Sequence, residues 1–242
     1  MMRSGNPALQ ANAFKSIPRS DDKANAMSVQ GTVNKTLILL ALSFLSASWV
    51  WEHIQQAMPF IMPACIAGLI LGFVTIFKKE WAGMTSPVYA IIEGVVLGGV
   101  SVMFERKFPG IVIQAVALTF GVLFCMLMAY KMKIIQVTAK FRMGIFAATG
   151  AIALVYLISM VMGFFGARIP FIHESGPTGI IFSIFVVSIA ALNLVLDFDF
   201  IEKGAEHGLP KYMEWYGAFG IMVTLIWLYL EILRLLSKTR RR

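Results

Sequence analysis

Four carboxylates stand inside the apolar stretches of this chain. Glu93 lies in "VYAIIEGVVLGGV", Asp197 and Asp199 in "LNLVLDFDFIEKG", and Glu231 in "LIWLYLEILRLL". A charge at the centre of a bilayer costs about 2.5–3.5 kcal/mol on insertion scales. An ionisable residue within a span is therefore a functional-site candidate by default. The chemistry open to such groups is proton exchange, pairing with a cation, or oxygen ligation of a passing ion.

Spacing separates their roles. Residues i and i+2 lie about 200° apart on a helix, so Asp197 and Asp199 cannot both face a bundle interior. Asp197 shares a face with Asn193 and Ile201 and is expected to point inward. Asp199 has Lys203 four residues on and is expected to face the headgroups as its partner. Glu231 has Arg234 three residues later, close enough to pair on one helix face. Glu93 is followed by Gly94, Gly98 and Gly99, a small-xxx-small face that lets another helix approach closely.

The elements that must hold these groups follow from composition. The chain has 242 residues, of which 58% are hydrophobic and 14% charged, with a mean hydropathy of +0.77. Soluble domains carry about 25% charged residues. Open backbone cannot face lipid, so the expected class is an all-α integral membrane protein, a transmembrane-helix bundle. Seven apolar runs can span: Thr36–Trp51, Pro59–Phe77, Pro87–Phe104, Ile111–Tyr130, Met143–Phe165, Thr178–Phe200 and about Tyr216–Leu236. They imply a polar cytoplasmic tail over 1–34, a seven-helix transmembrane domain over 35–237 and a basic C-terminal tail over 238–242. No apolar run follows a basic start within the tail, so a cleavable signal is not expected.

Orientation follows the positive charges. With the N-terminus inside, the cytoplasmic side carries Arg3, Lys15, Arg19, Lys23, Lys35, Lys78, Lys79, Lys131, Lys133, Lys140, Arg142, Lys203 and Lys211. The outer loops carry Arg106, Lys107 and Arg168. That bias favours a cytoplasmic N-terminus. Seven crossings put Lys238 and Arg240–Arg242 outside, against the trend. Either the last helix breaks the rule or it is re-entrant; seven full crossings are preferred.

Several functions are disfavoured. The net charge of +8 comes from loop Lys and Arg rather than a basic-aromatic patch, so no nucleic acid is expected as a partner. Cys65 and Cys125 read as small core residues, and the scattered histidines show no metal-ligand spacing. An intramembrane aspartyl protease needs two aspartates on separate helices and a GxGD; no GxGD is present. A retinal receptor needs a lysine deep in the seventh helix. The chain is expected to be no enzyme, with no catalytic residues and no cofactor.

Three stretches, "TSPVYAIIEGVVLGGVS" (85–101), "NLVLDFDFIEKGAEHG" (193–208) and "LIWLYLEILRLL" (225–236), together with the seven-run layout, carry a resemblance. The chain resembles the Bax inhibitor, or transmembrane Bax inhibitor motif, family in its bacterial YccA-type branch. The resemblance implies a seven-helix bundle with the last helix central. It also implies a pH-sensitive calcium leak in the bacterial inner membrane, with calcium as the permeant ion. It pairs an acid at the end of helix six, here Asp197, with one in helix seven, here Glu231. A basic residue at the end of helix two, here Lys78 or Lys79, serves as their partner. Glutamate stands where the family has aspartate, and lysine where it has arginine, which leaves a point charge in place of a bidentate fork. Arg234 is an additional cation.

On that pattern Asp197 and Glu231 share a proton and give transient oxygen ligation to calcium, with help from Asn193. Their meeting depends on where helix seven starts. From Tyr212, Glu231 lies about 28 Å along the axis; from Gly220, about 16 Å. The alternative the resemblance implies is a non-transporting protein of the bilayer that binds a membrane-bound quality-control protease through its N-terminal tail.

Overall fold

A computed structural model describes residues 25–165 and 176–240. The first 24 residues of the expected tail, Arg168, His173, Arg241 and Arg242 lie outside the described residues. Among the described residues the fold has seven long helices: α1 (Val29–Glu52), α2 (Ile54–Phe77), α3 (Ala82–Lys107), α4 (Ile111–Lys131), α5 (Ala139–Phe164), α6 (Pro177–Glu206) and α7 (Met213–Arg240). All seven are long and apolar enough to cross a membrane. A 3-10 turn, Lys79–Trp81, links α2 to α3. Among the described residues the only β-type pairing is a single bridge between Ala26 and Pro210.

Sequence explains the helix ends. Ser28 caps α1, its hydroxyl accepting from Gly31 N, and Thr138 does the same for α5 from Phe141 N. The turn into α4 uses Gly110 at φ 78, a left-handed conformation that costs glycine little. The Glu105 carboxylate accepts from Gly110 N at 2.5 Å and Val112 N at 3.1 Å, satisfying donors that the start of α4 leaves open.

Two ends differ from the hydropathy reading. The first run begins at Thr36, yet α1 begins at Val29. One face of its polar first turns, carrying Thr32 and Thr36, is buried against protein, so polarity there does not by itself mark a solvated tail. Helix α7 begins at Met213, which removes the option of an interfacial segment up to Gly220. Glu231 thus lies about 27 Å along its helix.

The chain divides into two compact units. The first comprises Met1–Val102 and Asp197–Met222; the second comprises Met103–Leu196 and Val223–Arg242. In the first unit, Val50, Ile54, Ala57 and Val102 form a core joined by Ile61 and Val95. The glycines of α3 admit neighbours as their spacing predicts. A Cβ on Gly98 would stand 2.8 Å from Ala47 O of α1, and one on Gly99 2.5 Å from Ile61 Cδ1 of α2. In the second unit, Ile145, Ile152, Val186 and Ile189 pack with Tyr156, Phe182 and Trp227.

Outward faces are greasy, as lipid requires: Phe44, Phe60, Leu69, Phe73, Phe124 and Leu157 are all exposed. Cys65 and Cys125 are free thiols on exposed faces, not core residues as expected. The last helix is the most enclosed of the seven, with 56% of its apolar window buried against 11% for α2.

Candidate functional site

In the second unit, Glu231 is wholly enclosed at 2% exposure, and its Oε1 carries two partners. Tyr156 OH donates to it at 2.8 Å, and Arg234 Nη1 donates at the same distance. Arg234 Nη1 also donates to Tyr156 OH at 2.6 Å, closing a triangle. The guanidinium lies 4.9 Å from the centre of the Tyr156 ring. The other carboxylate oxygen, Oε2, is buried with no hydrogen-bond partner among the described residues. The i,i+3 pairing read from the sequence is therefore present, and Tyr156 is the partner that reading missed.

Substituting Tyr156→Phe removes the hydroxyl from both bonds but keeps the ring under Arg234. Hydrogen bonds to charged groups contribute about 1.5–3 kcal/mol. The expected result is a destabilisation of that size in denaturant titrations of the purified protein. A Phe variant as stable as wild type would mean the triangle contributes nothing to stability.

Helix α7 ends in anchored cations. Lys238, 4% exposed, donates to Gly179 O at 3.0 Å and to Ser183 Oγ at 2.9 Å, both on α6. Arg240 donates to Pro109 O at 2.7 Å and Gln114 Oε1 at 2.9 Å. These contacts tie the end of α7 to the starts of α4 and α6. Seven full crossings bring those three ends to one face, whereas a re-entrant α7 would not. Lys238 and Arg240 are helix residues with protein partners, not a free basic tail.

In the first unit, Asp197 is half-buried, and its Oδ1 lies 3.6 Å from where a Gly220 Cβ would stand. It is also an electrostatic neighbour of Tyr216 on α7. Lys79 Nζ sits 5.4 Å from the centre of the Tyr216 ring. The basic partner nearest this cluster is thus Lys79, while Lys78 caps α2 and is exposed. Asp199 pairs with Lys203 at 2.6 Å, as its spacing predicts. Its expected place among the headgroups is not what is found, for at 5% exposure Asp199 is the more buried aspartate. Spacing fixes which residues share a face; the packing of neighbouring helices fixes which face turns inward.

Asp197 and Glu231 belong to different units, and within its own unit each has the neighbours just described. Asn193 donates to Thr149 Oγ1 and to Ile189 O, both at 2.9 Å, which binds α6 to α5. Glu93 is half-buried on α3 beside Gly68 of α2. Among the described residues, no three His, Cys, Asp or Glu side chains converge as a metal cage.

One buried acid lies outside the seven apolar runs and escaped the sequence reading. Glu214 stands in the first turn of α7 at 1% exposure. It accepts from Ser28 N at 2.9 Å and Ser28 Oγ at 3.0 Å, and forms an ion pair with Lys35. Lys35 Nζ also lies 5.5 Å from the Trp215 ring centre. A visible signal was the Ser28-to-Lys35 interval of seven, which puts both on one face of α1. The backbone adds Met27 N to Leu209 O at 2.6 Å and Lys211 N to Asn25 O at 3.0 Å, so the segment before α1 is sewn to the α6–α7 connection.

Compared with known proteins, the chain matches a family model described as Bax inhibitor 1 like, over residues 6–241. No curated protein and no solved structure matches it.

Proposed function

The chain belongs to the Bax inhibitor 1-like family, and on that premise we propose that it is a pH-sensitive calcium leak gated by intramembrane carboxylates. The observation that carries this reading is Glu231: a fully enclosed acid in the seventh span, with one oxygen bonded and the other without a partner. A structural ion pair uses both oxygens where it can, because an unsatisfied buried acceptor costs about 1–3 kcal/mol.

Arg234 occupies the place a cation would take. It is half-exposed, while Glu231 is enclosed. When Arg234 swings away, Glu231 presents hard oxygen ligands to Ca²⁺. When Glu231 takes a proton, it loses the charge that attracts either cation, and the path closes. Asp197, with Lys79 and Tyr216 near it, is a second point of control in the first unit. The proposed setting is a bacterial inner membrane with the N-terminus cytoplasmic, supported by the distribution of Lys and Arg.

The test is calcium entry into proteoliposomes holding the full chain, measured across pH. Wild type should leak less as the pH falls. Glu231→Gln should lose most of the flux and its pH response, and Asp197→Asn should shift that response. Flux and pH profile unchanged in both variants would rule this mechanism out.

A further inference from the structure

A polar seam runs between α2 and α3, and the residues that form it lie in the first unit. At one end Thr75 Oγ1 donates to Thr85 Oγ1 at 2.7 Å. One turn on, Tyr89 Cε2 lies 3.6 Å from where a Gly72 Cβ would stand, and a further turn on, Glu93 Oε2 lies 2.9 Å from a Gly68 Cβ position. Positions 85, 89 and 93 of α3 thus meet 75, 72 and 68 of α2, the steps expected of two helices packed face to face. Ser86, two turns before Glu93 on nearly the same line of α3, is fully buried, and its hydroxyl has no partner among the described residues.

Glu93 lies about 16 Å from the start of α3 and about 21 Å from its end, which is mid-span. The titratable groups near it are the Tyr89 phenol on its own helix and the Cys65 thiol on α2. From α1 the facing groups at the adjacent Gly94 are Ser43 and Ser46, which do not titrate. Among the described residues Glu93 forms no ion pair. Glu231 has Arg234, Glu214 has Lys35 and Asp199 has Lys203, whereas no such cation stands against Glu93 among the described residues. Calcium does not fit, since it takes 6–8 oxygen ligands and one carboxyl is present. The ligand that removes the charge with a single oxygen is a proton.

We propose that Glu93 is an intramembrane proton-binding site, a carboxylic acid held neutral at mid-span, lined by the Tyr89 and Ser86 side of the seam and covered on the α2 side by Gly68. Helix α2 screens it thinly: Cys65 and Leu69, on either side of Gly68, are exposed. The site does not depend on the leak reading, because it concerns occupancy by a proton rather than passage of an ion.

A neutral acid in lipid reacts with a hydrophobic carbodiimide. The carboxyl oxygen bonds to the central carbon while its proton moves to one nitrogen, giving an O-acylisourea. The acyl group then migrates to nitrogen, giving an N-acylurea. Both steps are additions or rearrangements, with no leaving group and no redox change.

The full chain in proteoliposomes is treated with dicyclohexylcarbodiimide, and the adduct is mapped by peptide mass spectrometry. Glu93 should be modified, and its rate should fall about tenfold per pH unit once the acid ionises. A water-soluble carbodiimide should modify exposed acids such as Glu52 and Glu206 but spare Glu93. Gly68→Leu should block the approach and reduce the adduct, while Glu93→Gln abolishes it. The mapping on wild type stands even if a variant fails to fold. An unmodified Glu93, equal reaction with the soluble reagent, or a rate indifferent to pH each overturns the proposal.

Discussion

Lys35→Met is expected to destabilise the protein by about 3–5 kcal/mol, the cost of removing one partner from a buried ion pair. The loss arises at Glu214, which is 1% exposed and would keep, of its described partners, only the neutral donors Ser28 N and Ser28 Oγ. Methionine keeps most of the apolar stem of lysine, so packing changes little and the effect isolates the charge. The dipole at the start of α7 favours the ionised carboxylate, by about 0.3–1 kcal/mol for an acid in a first turn. That contribution is too small to offset the loss of Lys35. A double variant, Lys35→Met with Glu214→Leu, should recover much of the stability, because buried pairs replaced by well-packed apolar residues are often neutral. Equilibrium unfolding of the three variants in detergent closes the cycle and yields the coupling between the two residues. A single-variant loss below about 1 kcal/mol would place the pair among weak surface bridges instead.

The same cluster marks the limit of what the sequence made legible. Spans were readable because lipid demands apolar side chains on outer faces, and residues such as Leu69 and Phe73 meet that demand directly. Pairs within one helix were readable too, since three or four residues is a fixed geometric step: Asp199 with Lys203, and Glu231 with Arg234, are both present. Contacts between distant segments left no such mark. Ser28 and Glu214 are 186 residues apart, and Tyr156 and Glu231 are 75 apart. Hydropathy also cannot tell a polar residue in water from one enclosed by protein. Thr32, buried, read as part of a polar tail, and Glu214, buried, fell outside the seven apolar runs. The two aspartates of α6 show a third gap: their angular separation was fixed by helix geometry, yet which one is enclosed depended on neighbours the pattern does not name.

Gly94→Ala is expected to disrupt the packing of α1 against α3. A Cβ at Gly94 would run into Ser46 Oγ and Ser43 O, and would stand 2.9 Å from Ser43 Cα. Two of those three atoms are backbone, which cannot turn aside as a side chain does, so the helices must separate. Overpacking typically costs about 1–3 kcal/mol and more where the backbone must move. In a membrane, helix association rests on close van der Waals contact, so separation has no compensating hydrophobic gain. Gly121→Ala is the control: it lies within α4 with nothing within 4 Å of the new Cβ. There the methyl should be harmless or stabilising by about 0.5–1 kcal/mol, through helix propensity alone. Side-by-side melting of the two variants in the same detergent gives the answer. If Gly94→Ala melts with wild type, the close approach of α1 to α3 does not limit stability, and the glycine spacing of α3 needs another explanation.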